Sequence, residues 1–409
     1  MRALGSCCVA IFVFGAMAER YGVRYLDQRE RWIARGIARE QERASNYRRR
    51  LLFGEPLEQN AVVWYRLSLA RMSLGPADTL QTIGRAVAHG PDGDVSLLDA
   101  LVRDRCQEAQ SVRVRDALRC TRCDWGRGSM AFEVDSDPDR KALLLGHCVT
   151  LRGHLMAARH QWSEAATAYL EALSFGSDLG QADFEFGLVG MAGATRALGA
   201  LARLAGRVGD DRHLLDDMRQ RLSRFEGGLP SADAGLRLAV LQMANNAEID
   251  ARAYRRHRRQ GLADLLPWRA VAAWRLSRSE RVLNLLQRAA EGRDSDELMQ
   301  LATEVERQAR RDNAAQGALP EHWLGAKRTA EQLEGLYRAT QAAITLQQWH
   351  ADHGTYPSAF ALPPSSLERQ SLRYEVSEGA GGYRIVIAGG QGAGTVVLEQ
   401  RSSVPSSSR

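Results

Sequence analysis

Lysine is nearly absent from this chain. All but two of its 55 basic residues are arginine, and the two exceptions are Lys141 and Lys327. The formal charge is +6, but the 49 acidic residues are interleaved with the arginines instead of being segregated from them. A nucleic-acid-binding domain presents a basic stripe on one face. The sequence therefore predicts no nucleic-acid partner.

Motifs for nucleotide binding and catalysis are missing as well. The chain has no nucleophile elbow, no Walker loop and no zinc-protease helix motif. Residues 389–394 are rich in glycine, but no helical pattern follows them, and a helix N-terminus is what holds the phosphate in such a loop. We therefore predict no cofactor, and we interpret the chain as non-enzymatic.

Long apolar runs are also scarce. Residues 3–18 form the most prominent run, and its 16 residues fall short of the roughly 20 that a transmembrane helix needs. The run suits the apolar core of a secretory signal, and Ala16-Met17-Ala18 offers a cleavage site. Residues 1–18 are thus predicted to be a signal peptide or an uncleaved membrane anchor.

A signal peptide and an uncleaved anchor predict different compartments for the rest of the protein. Arg20, Arg24, Arg29 and Arg31 follow the apolar run, so an uncleaved anchor would leave the body facing the cytosol. Short N-terminal apolar runs are most often export signals, which favours export. We expect a cell-envelope protein, inner-membrane-anchored or periplasmic, that contacts the membrane through its N-terminal segment.

Residues 19–50 are predicted to form one long charged helix. Its apolar stripe is sparse and consists of Val23, Leu26, Ile33 and Ile37. The segment is either a basic surface for anionic lipids or a solvated helix that spaces the body from the anchor. The acidic residues mixed into it favour the solvated spacer.

Cysteine is rare, and four of the six residues lie in the middle of the chain at Cys106, Cys120, Cys123 and Cys148. One close pair with two scattered partners is a weak zinc pattern. A redox pair needs a strand before it, whereas a helix predicted over residues 97–118 precedes this one. In an exported chain, one or two disulfides would pin the loop 106–123 to the helix bearing Cys148. Buried free thiols are the remaining alternative.

Residues 51–316 are predicted to form a body of helical repeats. The stretch from Lys141 to Leu173 holds two apolar helical periods joined at a break near Arg159–Gln161. Small and aromatic residues in it have the spacing of a tetratricopeptide-type helix pair, namely Gly153, Ala165, Tyr169 and Ala172. Such a pair cannot bury its apolar face alone. We therefore predict a mainly α fold, built as an antiparallel helical array.

Residues 317–401 have a different pattern. A last long helix is predicted from Thr329 to Asp352, and three segments of alternating apolar and polar residues follow it. Glycine clusters separate these segments, so they are predicted to form a three-stranded antiparallel meander over Leu372–Ser377, Tyr383–Ala388 and Thr395–Arg401. The fold class is thus mainly α with a small C-terminal α+β module. Residues 402–409 are predicted to be a disordered tail.

The end of the last helix carries the strongest candidate for a metal site. His350 and His353 share a helix face, and Asp352 could join them as a ligand. The simpler interpretation is that His353 and Gly354 close the helix, with glycine at the left-handed position. Because nothing else nearby completes a ligand shell, we predict no metal at this position.

The same segment resembles a known family. Residues 346–357, with His353, Gly354, Tyr356 and Pro357, are similar to the helix-to-sheet junction of type II secretion pseudopilins. The resemblance covers residues 317–401 and implies a pseudopilin-like module. The leader and stem glutamate that pseudopilins carry before their helix do not accompany this segment, so the polymerising function is not implied.

A second resemblance spans most of the chain. The segment 54–61 with Tyr65, the segment 123–125 and the helix over 162–173 are together similar to a family of uncharacterised bacterial envelope proteins. That family implies an N-terminal apolar segment, a helical body and this same tail, without implying a reaction.

Three functions remain open from the sequence. The leading one is a non-enzymatic, envelope-associated scaffold that offers grooves between helices to a protein partner. The second is an assembly factor of a secretion or pilus-like system that acts through residues 329–401. The third is a metal-dependent enzyme that uses His350, Asp352 and His353 or the cysteines.

Overall fold

The computed structural model describes most of the chain outside residues 246–318. The described ranges are 2–47, 51–76, 78–92, 94–106, 108–125, 137–209, 211–226, 228–231, 233–242, 244–245, 319–361, 371–377, 382–388 and 396–400, with single positions at 49, 273, 300, 303, 304 and 307. The predicted tail at 402–409 and the part of the predicted helical body at 246–318 lie outside these ranges, apart from those single positions.

The chain divides into two compact units, and each is built from two separate stretches of sequence. The first unit comprises Met1–Arg43 and Asp233–Gly325, and the second comprises Ala44–Ala232 and Ala326–Arg409. The sequence instead suggested boundaries near residues 50 and 317. The divisions at residues 43–44 and 325–326 fall inside helices that continue across them, where composition gives no signal.

In the first unit, helix α1 runs from Arg2 to Ser45 and so joins the apolar run and the charged segment in one helix. Two charged side chains in this helix are buried. Arg29 is buried and donates to the carbonyl of Ala244 at 3.3 Å, and the buried Glu40 pairs with Arg237 at 2.9 Å. The segment predicted as a solvated spacer therefore packs against the helical residues 233–242 and 244–245. Among the described residues, no helix has both the length and the apolar content needed to cross a bilayer.

The second unit is mainly helical and carries two small sheets. Its helices are α2 Ala61–Arg71, α3 Thr79–His89, α4 Val95–Arg105, α5 Glu108–Arg119, α6 Pro138–Ala158, α7 Trp162–Leu179, α8 Phe184–Val208 and α9 Arg212–Ser223, followed by α10, which runs over Leu319–His353 and lies in this unit from Ala326. Its strands are β1 Leu57–Asn60, β2 Cys120–Arg122, β3 Ser371–Ser377, β4 Gly382–Ala388 and β5 Val396–Gln400. The predicted mainly α class with a small C-terminal sheet is confirmed.

Helices α6, α7 and α8 form the centre of this unit. Helix α7 packs on both α6 and α8, α3 and α4 lie against α6, and α2 pairs with α5. The predicted break near Arg159–Gln161 is confirmed, because α6 ends at Ala158 and α7 begins at Trp162. Because the connection between them is short, the two helices pack directly against each other.

The helix predicted over residues 97–118 is interrupted. Helix α4 ends at Arg105, and Cys106 leaves the helical conformation at φ −100° and ψ 41°. Helix α5 then begins at Glu108. Its C-terminal end leads into β2, which pairs in parallel with β1 through Leu57↔Cys120 and Asn60↔Arg122. Neither short strand is visible as an alternating pattern in the sequence.

The C-terminal sheet is antiparallel in the order β3-β4-β5. On the central strand, Tyr383, Ile385 and Ile387 are buried while Arg384 is exposed. The Tyr383 hydroxyl donates to the carbonyl of Ala343 on α10 at 3.5 Å. The alternation predicted from the sequence is therefore the alternation between a helix-facing side and a solvent-facing side.

Helices α7 and α8 approach closely at two glycines. A Cβ on Gly190 would overlap the carbonyl oxygen of Gly176, and a Cβ on Gly176 would overlap the carbonyl oxygen of Gly190. Since backbone atoms on both sides fill this space, neither helix can adjust by rotating a side chain. The contact sets the separation of the two helices.

Replacing Gly190 by alanine is expected to destabilise the protein by about 1–2 kcal/mol. The overlap with the Gly176 backbone costs about 1–3 kcal/mol and outweighs the gain of up to about 1 kcal/mol that alanine brings to a helix interior. Gly193 lies on the same helix with no atom within 4 Å of an added Cβ, so Gly193→Ala should be neutral or stabilising. Urea unfolding of the two variants tests this difference, and equal effects would contradict it.

Candidate functional site

A buried ion pair lies at the centre of the second unit. Arg49 follows α1 and Asp178 sits near the end of α7, and their side chains are 2% and 0% exposed. The guanidinium donates to both carboxylate oxygens of Asp178, with Nε to Oδ1 at 3.0 Å. It also donates to the carbonyls of Ala117 and Cys120. The pair thus ties the start of the unit to α5, β2 and α7.

Aromatic rings enclose this ion pair. The Tyr65 hydroxyl donates to Asp178 at 2.5 Å and accepts from Arg49 at 3.0 Å. Trp125 stacks on Tyr65 and donates its Nε1–H to the Asp178 carbonyl at 2.8 Å. Burial, followed by the charge of Asp178, raises the pKa of the Cys123 thiol. Burial disfavours the charged form of Arg49, but Asp178 reverses this and the pKa of Arg49 is raised.

The ion pair is closed on all sides by protein. Every donor and acceptor described above is directed at another protein group, so none of these groups is free to bind a ligand. Its chemistry is that of a structural clamp. The ion pair was not predicted from the sequence. Asp178 at the end of the largely buried helix α7 is a signal for it, because a buried carboxylate requires a partner.

The structure separates the four central cysteines into two classes. Cys106 and Cys148 form a disulfide with a Cα–Cα distance of 5.3 Å, joining the end of α4 to α6. Cys120 and Cys123 are buried free thiols, and burial raises the pKa of both. A raised thiol pKa lowers the thiolate fraction on which redox and metal chemistry depend.

Alkylation should distinguish these classes. In the native, unreduced protein, none of the four cysteines is expected to react with iodoacetamide, because two are oxidised and two are buried. Of these four, Cys120 and Cys123 should react after denaturation without reductant, whereas Cys106 and Cys148 should react only after reduction. Peptide mass spectrometry reads the result. Modification of Cys106 before reduction would contradict the assigned disulfide.

The residues predicted for helix-pair packing lie between α6 and α7. Gly153 faces the ring of Tyr169, where an added Cβ would overlap ring atoms. Ala165 and Ala172 are buried on α7. The Tyr169 hydroxyl lies 2.7 Å from Nδ1 of the buried His154, whose Nε2 lies 3.1 Å from the Val87 carbonyl. Because a carbonyl can only accept, Nε2 carries the proton and Nδ1 accepts from tyrosine.

A second buried histidine lies two turns earlier on α6. His147 is 3% exposed, and neither of its ring nitrogens has a hydrogen-bond partner among the residues that the structure describes. Burial, with a smaller contribution from Arg196, lowers the pKa of His147 to about 3. Burial likewise lowers the pKa of His154 to about 4. Both rings are therefore neutral in the folded protein at pH 7.

The three residues of the possible metal site point to separate partners. The His350 ring packs on Tyr356 with centroids 4.6 Å apart, and the His353 ring stacks on Trp349 at 4.1 Å. Asp352 pairs with Arg212 at 2.7 Å. Within the described part of the chain, no group of three or more His, Cys, Asp or Glu side chains is placed to hold a metal ion.

The predicted helix-to-sheet junction is packed. Gly354 has φ +70° and donates its N–H to the His350 carbonyl at 2.7 Å. The Tyr356 hydroxyl accepts from Gln347 at 2.8 Å, and the Pro357 carbonyl accepts from the Tyr374 hydroxyl at 2.8 Å. The glycine ends α10, and the two tyrosines fix the chain that leads to the sheet.

An open groove of about 810 Å³ crosses α7. One wall is a stripe of α5, the other is a stripe of α9, and the floor consists of side chains from α6, α7 and the segment before β1. Its lining residues are Leu51, Leu52, Phe53, Gly54, Val112, Arg115, Asp116, Arg119, Arg152, Met156, Ser163, Glu164, Thr167, Glu171, Asp217, Gln220, Arg221 and Arg224. Both walls pack on α7, so the groove lies between two helices that share this neighbour.

Five arginines and four carboxylates line the groove. On the floor, Arg152 pairs with Glu171, whose side chain is 6% exposed, and Arg115 approaches the same carboxylate at 3.7 Å. Burial lowers the pKa of the Arg152 guanidinium. On the α9 wall, Arg221 donates to Thr167 at 3.1 Å and lies over the Phe53 ring at 5.4 Å. The groove therefore combines fixed cationic groups with an apolar end.

Comparison with known proteins adds no assignment. No family model matches the chain, and no curated protein and no solved structure matches it. The resemblances to pseudopilins and to bacterial envelope proteins stay predictions. The groove between α5 and α9 is thus the candidate site on which a function can be argued, and its chemistry is that of binding.

Proposed function

We propose that this protein is a non-enzymatic helical scaffold of the cell envelope that binds a protein partner in the groove between α5 and α9. The main observation in support of this proposal is the size and openness of the groove. Its volume of about 810 Å³ lies within the roughly 300–1,000 Å³ of pockets that hold small ligands and short peptides. It is open along two helix faces, which suits an extended segment better than an enclosed molecule.

The length of the groove supports a segment of chain as its occupant. On the α5 wall the lining residues run from Val112 to Arg119, and on the α9 wall they run from Asp217 to Arg224. Each stripe spans about 10 Å, because an α-helix rises about 1.5 Å per residue. An extended chain rises about 3.3 Å per residue, so about three residues of a partner fit between the walls.

The disulfide supports the proposed compartment. Cys106 and Cys148 are joined in the second unit, and stable disulfides form in oxidising compartments such as the periplasm. An envelope location agrees with the export signal that residues 1–18 predict.

Site-specific photocrosslinking in the native host tests the proposal. A photoreactive residue at Ser163 lines the groove, whereas one at Val63 lies on the exposed face of α2 and does not line it. We expect position 163 to crosslink a short, unstructured segment of one envelope protein, and position 63 to give none. The purified partner should then bind the full-length chain, and Ser163→Trp should abolish this binding while Val63→Trp retains it. Equal crosslinking at both positions would overturn the proposal.

A second candidate function is an assembly factor of a secretion or pilus-like system. The packed junction at Gly354 and Tyr356, between a long helix and a three-stranded sheet, is the observation that favours it. Substituting the exposed Val397 by lysine would then impair secretion by the host without unfolding the protein. Normal secretion in this variant and in a strain lacking residues 371–400 would dispose of this alternative.

A further inference from the structure

The two walls of the groove carry the same pattern of charge. Helix α5 contributes Arg115, Arg119 and Asp116. Helix α9 contributes Asp217 and Arg221, and Arg224 directly after its end completes a matching set of two arginines and one aspartate. Each wall therefore has one more positive than negative side chain. A segment lying between the walls meets a positive excess on both sides.

The floor holds Arg152, Glu164 and Glu171, so the lining as a whole has five arginines and four carboxylates. Glu171 is shared by Arg152 and Arg115, so two guanidinium groups face one carboxylate. The buried Nε of Arg152 has no hydrogen-bond partner among the described residues. An unsatisfied buried donor is costly, and an acceptor that reached it would remove that cost. Arg115 is about half exposed, at 48%, and so remains accessible to a ligand.

From these observations, and resting on the proposed function of the groove, we propose that its occupant is an acidic protein segment. One of its carboxylates accepts hydrogen bonds from Arg152 and Arg115 at the floor. Its flanking acidic residues lie against the arginines of the two walls, and an apolar side chain reaches Phe53 and Leu52 at the apolar end. Charge-assisted hydrogen bonds to arginine supply the selectivity.

Capped hexapeptides test the inference on the full-length, oxidised protein. Fluorescence anisotropy should show binding of a glutamate-rich hexapeptide, at least tenfold weaker binding of its glutamine counterpart, and none of its lysine counterpart. Affinity should fall as salt rises, because exposed charges are screened. Inorganic phosphate should compete only at concentrations far above those of the peptide. Equal competition by phosphate would indicate a simple anion site and overturn the inference.

Variants that remove single charges identify the arginines that bind the acidic peptide. Arg115→Gln and Arg224→Gln alter exposed side chains, and each should weaken the acidic peptide by about tenfold. Arg140→Gln, which lies outside the groove, should leave binding unchanged. Arg152→Gln alone would leave the buried Glu171 carboxylate without its ion-pair partner. The double variant Arg152→Gln with Glu171→Gln removes both charges, and it should also weaken binding of the acidic peptide. Unchanged affinity in all these variants would overturn the inference.

The two proposals fail in different ways. If position 163 crosslinks a partner segment that lacks acidic residues, or if the glutamine peptide binds as well as the glutamate peptide, the charge selectivity is overturned and the groove remains a binding site. If no segment crosslinks at position 163 and no peptide binds, the groove itself is not the site and both proposals fall.

Discussion

Replacing Arg49 by methionine is expected to lower the free energy of unfolding by about 3–5 kcal/mol. The substitution leaves the Asp178 carboxylate, which is 0% exposed, without its cation. The Tyr65 hydroxyl would still donate to it, but a hydroxyl does not neutralise its charge. A buried charge without a partner is among the most destabilising single changes that a protein can undergo.

Matched variants separate the charge from the surrounding hydrogen bonds. Tyr65→Phe removes one hydroxyl but keeps the ion pair, and it should cost about 1–2 kcal/mol. The double variant Arg49→Met with Asp178→Leu removes both charges and should recover much of the loss, since two apolar side chains of similar size can replace a buried pair. Urea unfolding followed by circular dichroism and tryptophan fluorescence measures these differences. A double variant less stable than Arg49→Met would show that the pair contributes more than mutual neutralisation.

Acidification from pH 7 to pH 5 is expected to destabilise the second unit by about 4 kcal/mol through two histidines. The folded-state pKa values of His147 and His154 lie at about 3 and about 4, below the unfolded value of about 6.5. Between these values the unfolded chain binds protons that the folded chain does not. The contribution of the two neutral rings to the free energy of unfolding is therefore fully present above pH 6.5. Below pH 6.5 it falls by about 1.4 kcal/mol per pH unit for each ring.

The environment of the two rings explains why they cannot take up a proton at low cost. Arg196 faces His147 and Arg203 faces His154, so each added proton would meet both burial and a positive charge. The carbonyl of Val87 opposes this effect at His154 alone. His147 has no such partner.

His147→Leu separates the two contributions. Leucine fills similar space without unpartnered nitrogens, so the variant should be at least as stable as the native protein at pH 7 and should lose about half of the acid sensitivity. His154→Leu should be destabilised at pH 7, because it leaves the Tyr169 hydroxyl and the Val87 carbonyl without their partner. His213→Gln, at an exposed position, is the control. An unchanged slope of stability against pH in His147→Leu would contradict the prediction.

Local pattern was enough to predict the regular elements of this protein. The apolar period predicted the α6–α7 hairpin and its break, since a helix that packs on neighbours must repeat its apolar face every 3.6 residues. The alternation after Pro357 predicted the three strands for the same kind of reason. The side chain of Asn60 caps α2 by accepting from Val62 at 3.2 Å, which its position before an apolar run indicates. These features depend on residues close together in the sequence.

Features that depend on distant residues were not predictable in this way. The disulfide partner of Cys106 lies 42 residues away, and spacing alone left four interpretations of the cysteines. The interruption of the predicted helix at Cys106 and the pairing of β1 with β2 have no local signal. Likewise, the arginines of the groove come from separate helices, and nothing in their sequence positions marks them as neighbours.

By itself the sequence determined the helical class, the C-terminal sheet, the glycine that ends the last long helix and the low content of lysine. These follow from periodicity, turn chemistry and composition, which act over a few residues. Only the tertiary structure decided that Arg49 meets Asp178, that two histidines are sealed in neutral form, and that two arginine-bearing helices face one groove. Burial is what gives these side chains their roles, and burial depends on how segments far apart in the chain pack together.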